Sequence, residues 1–148
     1  MYAIKTITSQ DTFAVRQPVL RPGKTIETCI FDGDDLPTTI HFGIYDADTL
    51  VGIVSIFTAI HELFEQQNQY QIRGMAVLRQ YQGKGLGELL VRHAEAYVVQ
   101  NGGALLWCNA REKAIGFYEK VGYYIIGNPF YIKDIGTHYV MFKIIQSC

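Results

Sequence analysis

The chain has 148 residues, of which 49% are hydrophobic and 18% charged, a size and composition typical of one globular domain rather than of a disordered segment. The formal net charge is −1 and no long basic tract is present, so nucleic acid is not expected as a partner. No apolar run is long enough to span a bilayer, and the N-terminus has no secretion-signal pattern, so we expect a cytoplasmic protein without membrane contact.

The N-terminal quarter is predicted to contain one strand and one helix. The strand covers Tyr2–Ile7, and the residues at 8–11 are suited to cap a helix that runs towards Leu20 unless Pro18 bends or stops it. The stretch 24–37 is irregular. Its acidic residues Asp32, Asp34 and Asp35 lack calcium-loop spacing, so a solvated turn is expected there.

The rest of the chain alternates strand and helix patterns. The patterns first predict strands at 39–45 and 50–60 around a hairpin loop at 46–49, then a polar loop at 62–69 and a strand at 70–78. A helix follows, with an apolar stripe formed by Leu86, Leu89, Leu90, His93, Ala94, Tyr97 and Val98. After it come a strand at 104–109, a helix at 114–121, and closing strands at 123–126 and 137–145. The strand–helix–strand order in the middle implies two neighbouring parallel strands, and the flanking hairpins make the sheet mixed.

A glycine-rich loop, Gln82-Gly83-Lys84-Gly85-Leu86-Gly87, lies between a predicted strand and the clearest helix. Glycines let several backbone N–H groups converge on one anion, and the helix N-terminus adds unpaired N–H groups, so a phosphate or pyrophosphate is the expected ligand. A tight turn without a ligand is the alternative. The P-loop is excluded because Leu78 and Gly85 stand where it needs Gly and Ser or Thr, and the dinucleotide fingerprint is excluded by glycine spacing.

The loop does fit the pattern Gln/Arg-x-x-Gly-x-Gly/Ala through Gln82, Gly85 and Gly87. With the preceding Gly74-Met75-Ala76-Val77 and the later Phe117-Tyr118-Glu119-Lys120-Val121-Gly122-Tyr123, the chain resembles the GNAT superfamily of N-acetyltransferases. The specific resemblance covers residues 73–123, and the order of elements matches over nearly the whole chain.

This resemblance implies an α/β fold, the acyl-CoA N-acyltransferase fold. It is a central mixed, mostly antiparallel sheet of six to seven strands, with two splayed parallel strands and flanking helices, in a single domain over residues 1–148. The expected activity is transfer of an acetyl group from acetyl-CoA to an amine, by preference on a small molecule, releasing coenzyme A. Acetylation of a protein N-terminus or lysine, and a non-catalytic acyl-CoA binding module, are the alternatives.

The resemblance also assigns residues to the coenzyme. The backbone of the strand at Met75 and Val77 pairs with the pantetheine arm, and the amides from Gly83 to Glu88 hold the pyrophosphate. Asn109 contacts coenzyme or substrate, or else caps the end of its strand. The full set of expected coenzyme residues is Met75, Ala76, Val77, Gln82, Gly83, Lys84, Gly85, Leu86, Gly87, Glu88, Asn109 and Tyr118.

Tyr118 matches the family's general acid, which protonates the departing thiolate, although the apolar stripe of its helix also allows a purely structural role. The family's strand carboxylate is missing. Arg73 stands in that region and is expected to bind an acidic group of the acceptor. His138 is the first candidate for the base and for a second acceptor contact; His61, Glu62 or a water chain are the other candidates.

Cysteines and histidines do not indicate a disulfide framework or a metal. Cys29, Cys108 and Cys148 are odd in number and far apart, and the four histidines lack ligand spacing. Cys108 is expected to be a buried, inert thiol rather than a nucleophile. The sequence does not identify the acceptor, show whether other acyl groups are used, or give the oligomeric state. A homodimer is compatible with it.

Overall fold

The computed structural model describes residues 1–145, so Cys148 lies outside the described residues. The strands are β1 Tyr2–Ile7, β2 Ile40–Asp46, β3 Thr49–Thr58, β4 Gln69–Val77, β5 Leu105–Arg111, β6 Tyr124–Ile132 and β7 Gly136–Ile144, and the helices are α1 Ser9–Val15, α2 Leu86–Gln100 and α3 Ile115–Lys120. Within the described residues, seven strands form one sheet in the order β1-β2-β3-β4-β5-β7-β6. β4 and β5 run parallel, whereas β1–β2, β2–β3, β5–β7 and β6–β7 are antiparallel. The predicted mixed α/β fold is confirmed.

Contacts along the chain define two compact units. The first unit comprises Met1–Phe57 and Arg73–Ala94, and the second comprises Thr58–Ile72 together with the residues from Glu95 onward. Each unit is described by itself below. The single domain over residues 1–148 stays a prediction.

The first helix begins as the capping residues predict and then changes form. The Thr8 hydroxyl accepts a hydrogen bond from the Asp11 N–H at 3.1 Å, and the Asp11 carboxylate accepts one from the Thr8 N–H at 3.1 Å, which is a capping box. After α1 the chain continues as a π-helical segment over Arg16–Leu20. Pro18 lies in this segment, so the proline does not stop the helix; the helix widens around a residue that has no N–H to donate.

α2 buries one face and leaves another in solvent. Leu86, Leu90, Val91, Ala94 and Val98 are buried, whereas Leu89 is 47% exposed. The predicted stripe was therefore wrong at Leu89 and also at exposed His93, because the buried face includes Val91 instead. In the first unit, Gly52 allows the close approach of α2 to the sheet, since a Cβ there would lie 3.2 Å from the Leu90 side chain.

The second unit has an apolar core on one face of the paired strands β5 and β7. Leu105, Trp107 and Val140 are buried together, with Phe130 and Phe142 packed against them. β6 reaches Ile132, six residues beyond its predicted end. Its pairing with β7 shifts register between Ile126 and Phe130, so the Gly-Asn-Pro sequence at 127–129 forms an irregularity within an edge strand instead of ending it.

The parallel ladder covers only part of the two strands that form it. It joins Gln69–Ile72 of β4 to Leu105–Cys108 of β5, while β4 continues to Val77 and β5 to Arg111. Gly74 lies in the part of β4 that belongs to the first unit and has φ +63°. L side chains rarely adopt this backbone conformation, which breaks the regular pleat of the strand.

Candidate functional site

The glycine loop lies in the first unit and is held at both ends. Leu78 donates its N–H to the Val51 carbonyl at 2.8 Å, and the Gln82 side-chain amide donates to the Val77 carbonyl at 2.9 Å. The Tyr81 hydroxyl donates to the Asp46 carboxylate at 2.8 Å. The loop is therefore tied to β3, to the end of β4 and to the β2–β3 hairpin before α2 begins.

Two glycines of the loop adopt positive φ angles with open space around them. Gly83 has φ +81° and Gly85 φ +80°, and a Cβ at either position would meet nothing within 4 Å. Packing within the protein therefore does not explain these glycines. Backbone conformation requires them, and the space above them is left open for a ligand to approach the main chain.

Three backbone amides at the start of α2 precede its first intrahelical hydrogen bond. That bond runs from the Leu89 N–H to the Gly85 carbonyl at 3.2 Å, so the N–H groups of Leu86, Gly87 and Glu88 have no partner within the helix. They add to the positive end of the helix dipole, and Leu86, which is 2% exposed, anchors this turn in the core. Such an arrangement can bind an anion such as a phosphate.

Lys84 supplies a cationic side chain beside these amides. Its ammonium group lies 5.6 Å from the centre of the Tyr81 ring, and the residue is exposed. Glu88 lies one turn from Arg92, with their charged groups 3.6 Å apart, which partly offsets its negative charge. The loop therefore keeps a positive character at the place where an anion would bind.

The strand before the loop offers backbone rather than side chains. The Ala76 side chain is buried in the core cluster with Val15 and Ile53, and Val77 is also buried, while Met75 is half-buried. Of the three predicted coenzyme residues on β4, Ala76 can thus contribute only its main chain.

Tyr118, in the second unit, is buried within an aromatic cluster. It is 6% exposed, and its ring makes edge contacts with Phe117 and Tyr123 at centroid distances of 5.1 and 5.6 Å. Burial, followed by the charge and hydrogen bond of Cys108, raises the pKa of the Tyr118 phenol well above its ordinary value. A phenol in this position keeps its proton, which is the state that a proton donor needs.

Cys108 is the neighbour of that phenol. Burial raises the pKa of its thiol to about 12, while the hydrogen bond from Tyr118 lowers it by less. The prediction of a buried thiol is confirmed, and a thiol with this pKa remains protonated and unreactive.

Asn109 follows Cys108 on β5 and points out of the core. The residue is exposed, and within residues 1–145 its side chain makes no hydrogen bond that would cap the strand. Its donors and acceptor are open to a ligand, so the predicted coenzyme contact retains the groups that it requires.

His138 and His61 differ in which ring nitrogen is occupied. The Nδ1 of His138 lies 2.9 Å from the Gly136 carbonyl, and because a carbonyl only accepts, Nδ1 donates and neutral His138 carries its lone pair on Nε2. In His61, Nδ1 accepts a hydrogen bond from the Leu63 N–H at 3.1 Å, so its lone pair is already used. Of the two histidines among the predicted base candidates, His138 is the one whose lone pair is not used by a hydrogen bond.

The sequence analysis missed a buried polar network in the first unit. Arg16, 0% exposed, donates two hydrogen bonds to the Asp34 carboxylate at 2.7 and 3.0 Å and one to the Ser55 hydroxyl at 3.1 Å. His41 bridges the Ser55 hydroxyl and the Asp34 carbonyl at 2.6 and 2.9 Å.

The prediction of a solvated turn was therefore wrong for Asp34, which is 6% exposed because it neutralises a buried guanidinium. Burial raises the pKa of the Asp34 carboxyl, but the hydrogen bonds from Arg16 and from the Phe31 N–H, together with the charges of Arg16 and His41, bring it below its usual range. No motif marks this pair in the sequence, since the two residues are 18 positions apart.

The described residues hold no evident metal site. Within residues 1–145, no group of three His, Cys, Asp or Glu side chains is placed to hold a metal ion. Nor do the helices of that part of the chain include one with the length and hydrophobicity that crossing a membrane requires.

The mixed sheet with its parallel pair and the glycine loop that opens α2 define the class, the acyl-CoA N-acyltransferase fold. The chain belongs to the acetyltransferase (GNAT) family, whose model matches residues 5–123. The chain is 36% identical over 147 residues to the uncharacterised N-acetyltransferase YitI of Bacillus subtilis (strain 168), covering 99% of both proteins. A second relative, an uncharacterised N-acetyltransferase of Brevibacillus brevis, is 33% identical over 86 residues, which is 55% of this chain and 52% of that protein.

Solved structures share the fold at low sequence identity. An aminoglycoside 6'-N-acetyltransferase complexed with coenzyme A aligns with a TM-score of 0.77 and 17% identity, over 99% of this chain and 98% of that one. The ribosomal-protein-S18-alanine N-acetyltransferase of Escherichia coli aligns with a TM-score of 0.79 and 19% identity, over 100% and 96%. The relatives and fold neighbours are N-acetyltransferases, and the chain is an enzyme of this class.

Proposed function

We propose that this enzyme transfers the acetyl group of acetyl-CoA to a primary amine of a small molecule by direct attack in a ternary complex. The observation that carries the proposal is the glycine loop. Gly83 and Gly85 leave the main chain uncovered, and the unpaired amides of Leu86, Gly87 and Glu88 suit the pyrophosphate of coenzyme A. The coenzyme A complex of the aminoglycoside enzyme with the same fold supports this choice of ligand.

The chemistry follows from acyl transfer. The lone pair of a neutral amine attacks the thioester carbonyl carbon, and negative charge develops on the carbonyl oxygen. We assign the stabilisation of that charge to a backbone N–H at Met75 or Val77. The carbon–sulfur bond then breaks, the acetyl group remains on nitrogen, and the thiolate receives the proton of the Tyr118 phenol, which burial keeps protonated before this step. The phenolate then regains a proton from solvent, to which the base releases the proton taken from the amine.

The attacking nitrogen must lose a proton, and we assign that proton to Nε2 of His138. The ring is fixed by the hydrogen bond from its Nδ1 to the Gly136 carbonyl and by stacking on Phe130 at a centroid distance of 5.7 Å. A water chain leading to the same nitrogen meets the requirement equally well, because only the final acceptor must be a base.

Release of free thiol from acetyl-CoA tests the proposal across amines, polyamines, amino acids, aminosugars, peptides and an intact ribosomal protein. The two solved neighbours act on an aminoglycoside and on a protein alanine, so both kinds of acceptor belong in the panel. We expect turnover on a small-molecule amine. Turnover restricted to peptides or proteins would replace the small-molecule acceptor with a protein acceptor, and absence of turnover on the whole panel would contradict acetyl transfer.

A further inference from the structure

Arg73 lies on β4, at the first residue of this strand that belongs to the first unit, and its guanidinium lies over two aromatic rings. Its guanidinium carbon is 4.6 Å from the centre of the Phe57 ring and 5.5 Å from that of Phe31. One nitrogen donates to the Asp32 carbonyl at 3.1 Å, and the residue is half-buried. Cation–π contacts with both rings and this single hydrogen bond position the group while most of its N–H donors remain unused.

The neighbourhood has more positive than negative side chains. Arg16, Arg21 and Arg73 all lie within reach of the Phe31 ring, at 3.9, 5.3 and 5.5 Å from its centre. Asp34 makes its side-chain bonds to Arg16 and is not hydrogen-bonded to Arg73, whose hydrogen bond goes to the Asp32 carbonyl.

Arg73 itself is therefore a partly desolvated cation without a bonded counter-ion. Within residues 1–145 no carboxylate is bonded to it, since its hydrogen bond goes to a main-chain carbonyl. Burial lowers the pKa of its guanidinium, although the nearby charge of Asp34 acts in the opposite direction. A planar fork of N–H donors in such a place is complementary to a carboxylate, which it can bind through two parallel hydrogen bonds.

We infer that the acceptor carries a carboxylate close to the amine that is acetylated, as an amino acid does, and that Arg73 binds this carboxylate. The inference rests on the proposed function and deepens it by naming the substrate class. Arg73 and Met75 lie on the same strand and are separated only by Gly74. A carboxylate on Arg73 therefore holds the amine of the same small molecule near the backbone assigned to the thioester.

A structural role for Arg73 makes different predictions. Its contacts with Phe31, Phe57 and the Asp32 carbonyl could serve only to fasten the irregular segment around 31–34 against β3. In that case removing its charge lowers stability without changing which acceptors are used. Selectivity between acceptors with and without a carboxylate separates the two roles.

The first arm of the test uses matched acceptors on the unaltered enzyme. For several side chains, the free amino acid, its primary amide and the decarboxylated amine are compared by kcat/KM at saturating acetyl-CoA. We expect the amino acid to be preferred by roughly 10- to 100-fold, the usual effect of a hydrogen bond to a charged group. Equal use of all three forms would overturn the inference while leaving acetyl transfer intact.

The second arm uses variants of Arg73. In Arg73→Gln the preference for the carboxylate should disappear, mainly through a higher KM for the amino acid, while kcat/KM for the amide changes little. Arg73→Lys keeps the charge but not the fork and should retain part of the preference. The matched control is Lys5→Gln, which removes one exposed cation from the same unit and should leave the preference unchanged.

The third arm does not depend on turnover. Calorimetry measures binding of an N-acetylated amino acid and of its amide to the coenzyme A complex of the unaltered protein and of Arg73→Gln. Carboxylate-dependent binding that Arg73→Gln abolishes supports the inference even if no amine is acetylated, which would count only against the proposed function. Equal binding of both compounds to both proteins would overturn the inference.

Discussion

Two buried phenols in the second unit, Tyr118 and Tyr123, have different partners. The Tyr123 hydroxyl donates to the Glu95 carboxylate at 2.9 Å, and the Lys143 ammonium lies 3.1 Å from the same carboxylate. This ion pair fixes the turn after α3, where Lys143 also donates to the Val121 carbonyl at 3.1 Å. Tyr118 is next to a thiol instead. The Gly-Tyr ending of the family-like motif is thus structural, whereas Tyr118 carries the proposed chemistry.

Removing the Tyr118 oxygen should therefore reduce turnover without unfolding the protein. If Tyr118 protonates the thiolate, Tyr118→Phe lowers kcat by roughly 100- to 10,000-fold, because general acid catalysis is worth that much. Coenzyme affinity should change much less, since most of its expected contacts are main-chain amides of the loop. Tyr123→Phe is the matched control: it loses a hydrogen bond worth about 1 kcal/mol of stability and keeps kcat. Near-normal kcat of Tyr118→Phe in single-turnover experiments would remove Tyr118 from the mechanism.

The pKa of Tyr118 also determines what a rate–pH profile should show. Because the pKa is raised above its ordinary value, the phenol stays protonated through the neutral and moderately alkaline range. We expect kcat to rise with pH as the amine loses its proton, and to show no decline due to Tyr118 below about pH 10. A falling limb near pH 8 that is absent in Tyr118→Phe would show a lowered pKa and contradict the burial argument.

The glycine loop and the start of α2 act together as one element. Gly85 has φ +80° and Gly102, at the other end of α2, has φ +78°, and an added Cβ would meet nothing within 4 Å at either position. A side chain at either site therefore carries the same backbone strain, about 1–3 kcal/mol. The two positions differ in what they adjoin, since only Gly85 borders the unpaired amides of α2.

Gly85→Val should accordingly abolish acetyl-CoA binding, because its side chain would stand over the amides assigned to the pyrophosphate, whereas Gly102→Val should bind normally. Isothermal titration calorimetry measures both affinities, and urea unfolding should show similar losses of stability. If Gly85→Val kept its affinity, the pyrophosphate site would lie elsewhere. If both variants lost it, strain rather than the loop would be responsible.

The buried ion pair between Arg16 and Asp34 fastens the irregular segment around 29–34 to the π-helical end of the first helix. Arg16 also donates to the Cys29 carbonyl at 2.8 Å, and Asp34 accepts from the Phe31 N–H at 2.9 Å. Asp34→Asn leaves Arg16 buried without its counter-ion, which should cost about 3–5 kcal/mol in the free energy of unfolding. Asp48→Asn, which neutralises an exposed carboxylate of the same unit, should stay within about 0.5 kcal/mol of the parent.

The cost of Asp34→Asn should depend on pH. The folded-state pKa of Asp34 is lowered, so its contribution is fully present above the unfolded value of about 3.9 and is lost as the pH falls below that value through the folded pKa. Urea unfolding at pH 7 and at pH 3 measures the difference between parent and variant. A difference that does not shrink in acid would show that Asp34 is not stabilised as a carboxylate.

Across the whole molecule, the sequence predicts what depends on neighbours in the chain. The capping box of Thr8 and Asp11 and the glycine loop are local patterns, and both form as expected. The prediction of a solvated turn was wrong for Asp34 because its partner, Arg16, is brought next to it only by the fold. The predicted strand ended at Ile126, and only the pairing with β7 shows that this edge strand continues past Pro129. Which ring nitrogen of His138 carries the lone pair likewise follows only from the contact of Nδ1 with the Gly136 carbonyl.

Coenzyme binding should also be visible in the stability of the whole molecule. A ligand that binds only the folded state at about 100 times its Kd adds about 2.7 kcal/mol to the free energy of unfolding. For a chain of this size that corresponds to an increase in Tm of about 5–10 °C. Thermal unfolding monitored by circular dichroism, with and without acetyl-CoA, measures the increase.

Tyr118→Phe and Gly102→Val should show the full increase in Tm on adding acetyl-CoA, because neither the acid–base step nor backbone strain away from the loop changes coenzyme binding. Gly85→Val should show no increase. An unchanged Tm of the parent protein at saturating acetyl-CoA would contradict coenzyme binding, and an increase retained in Gly85→Val would place the coenzyme away from the loop.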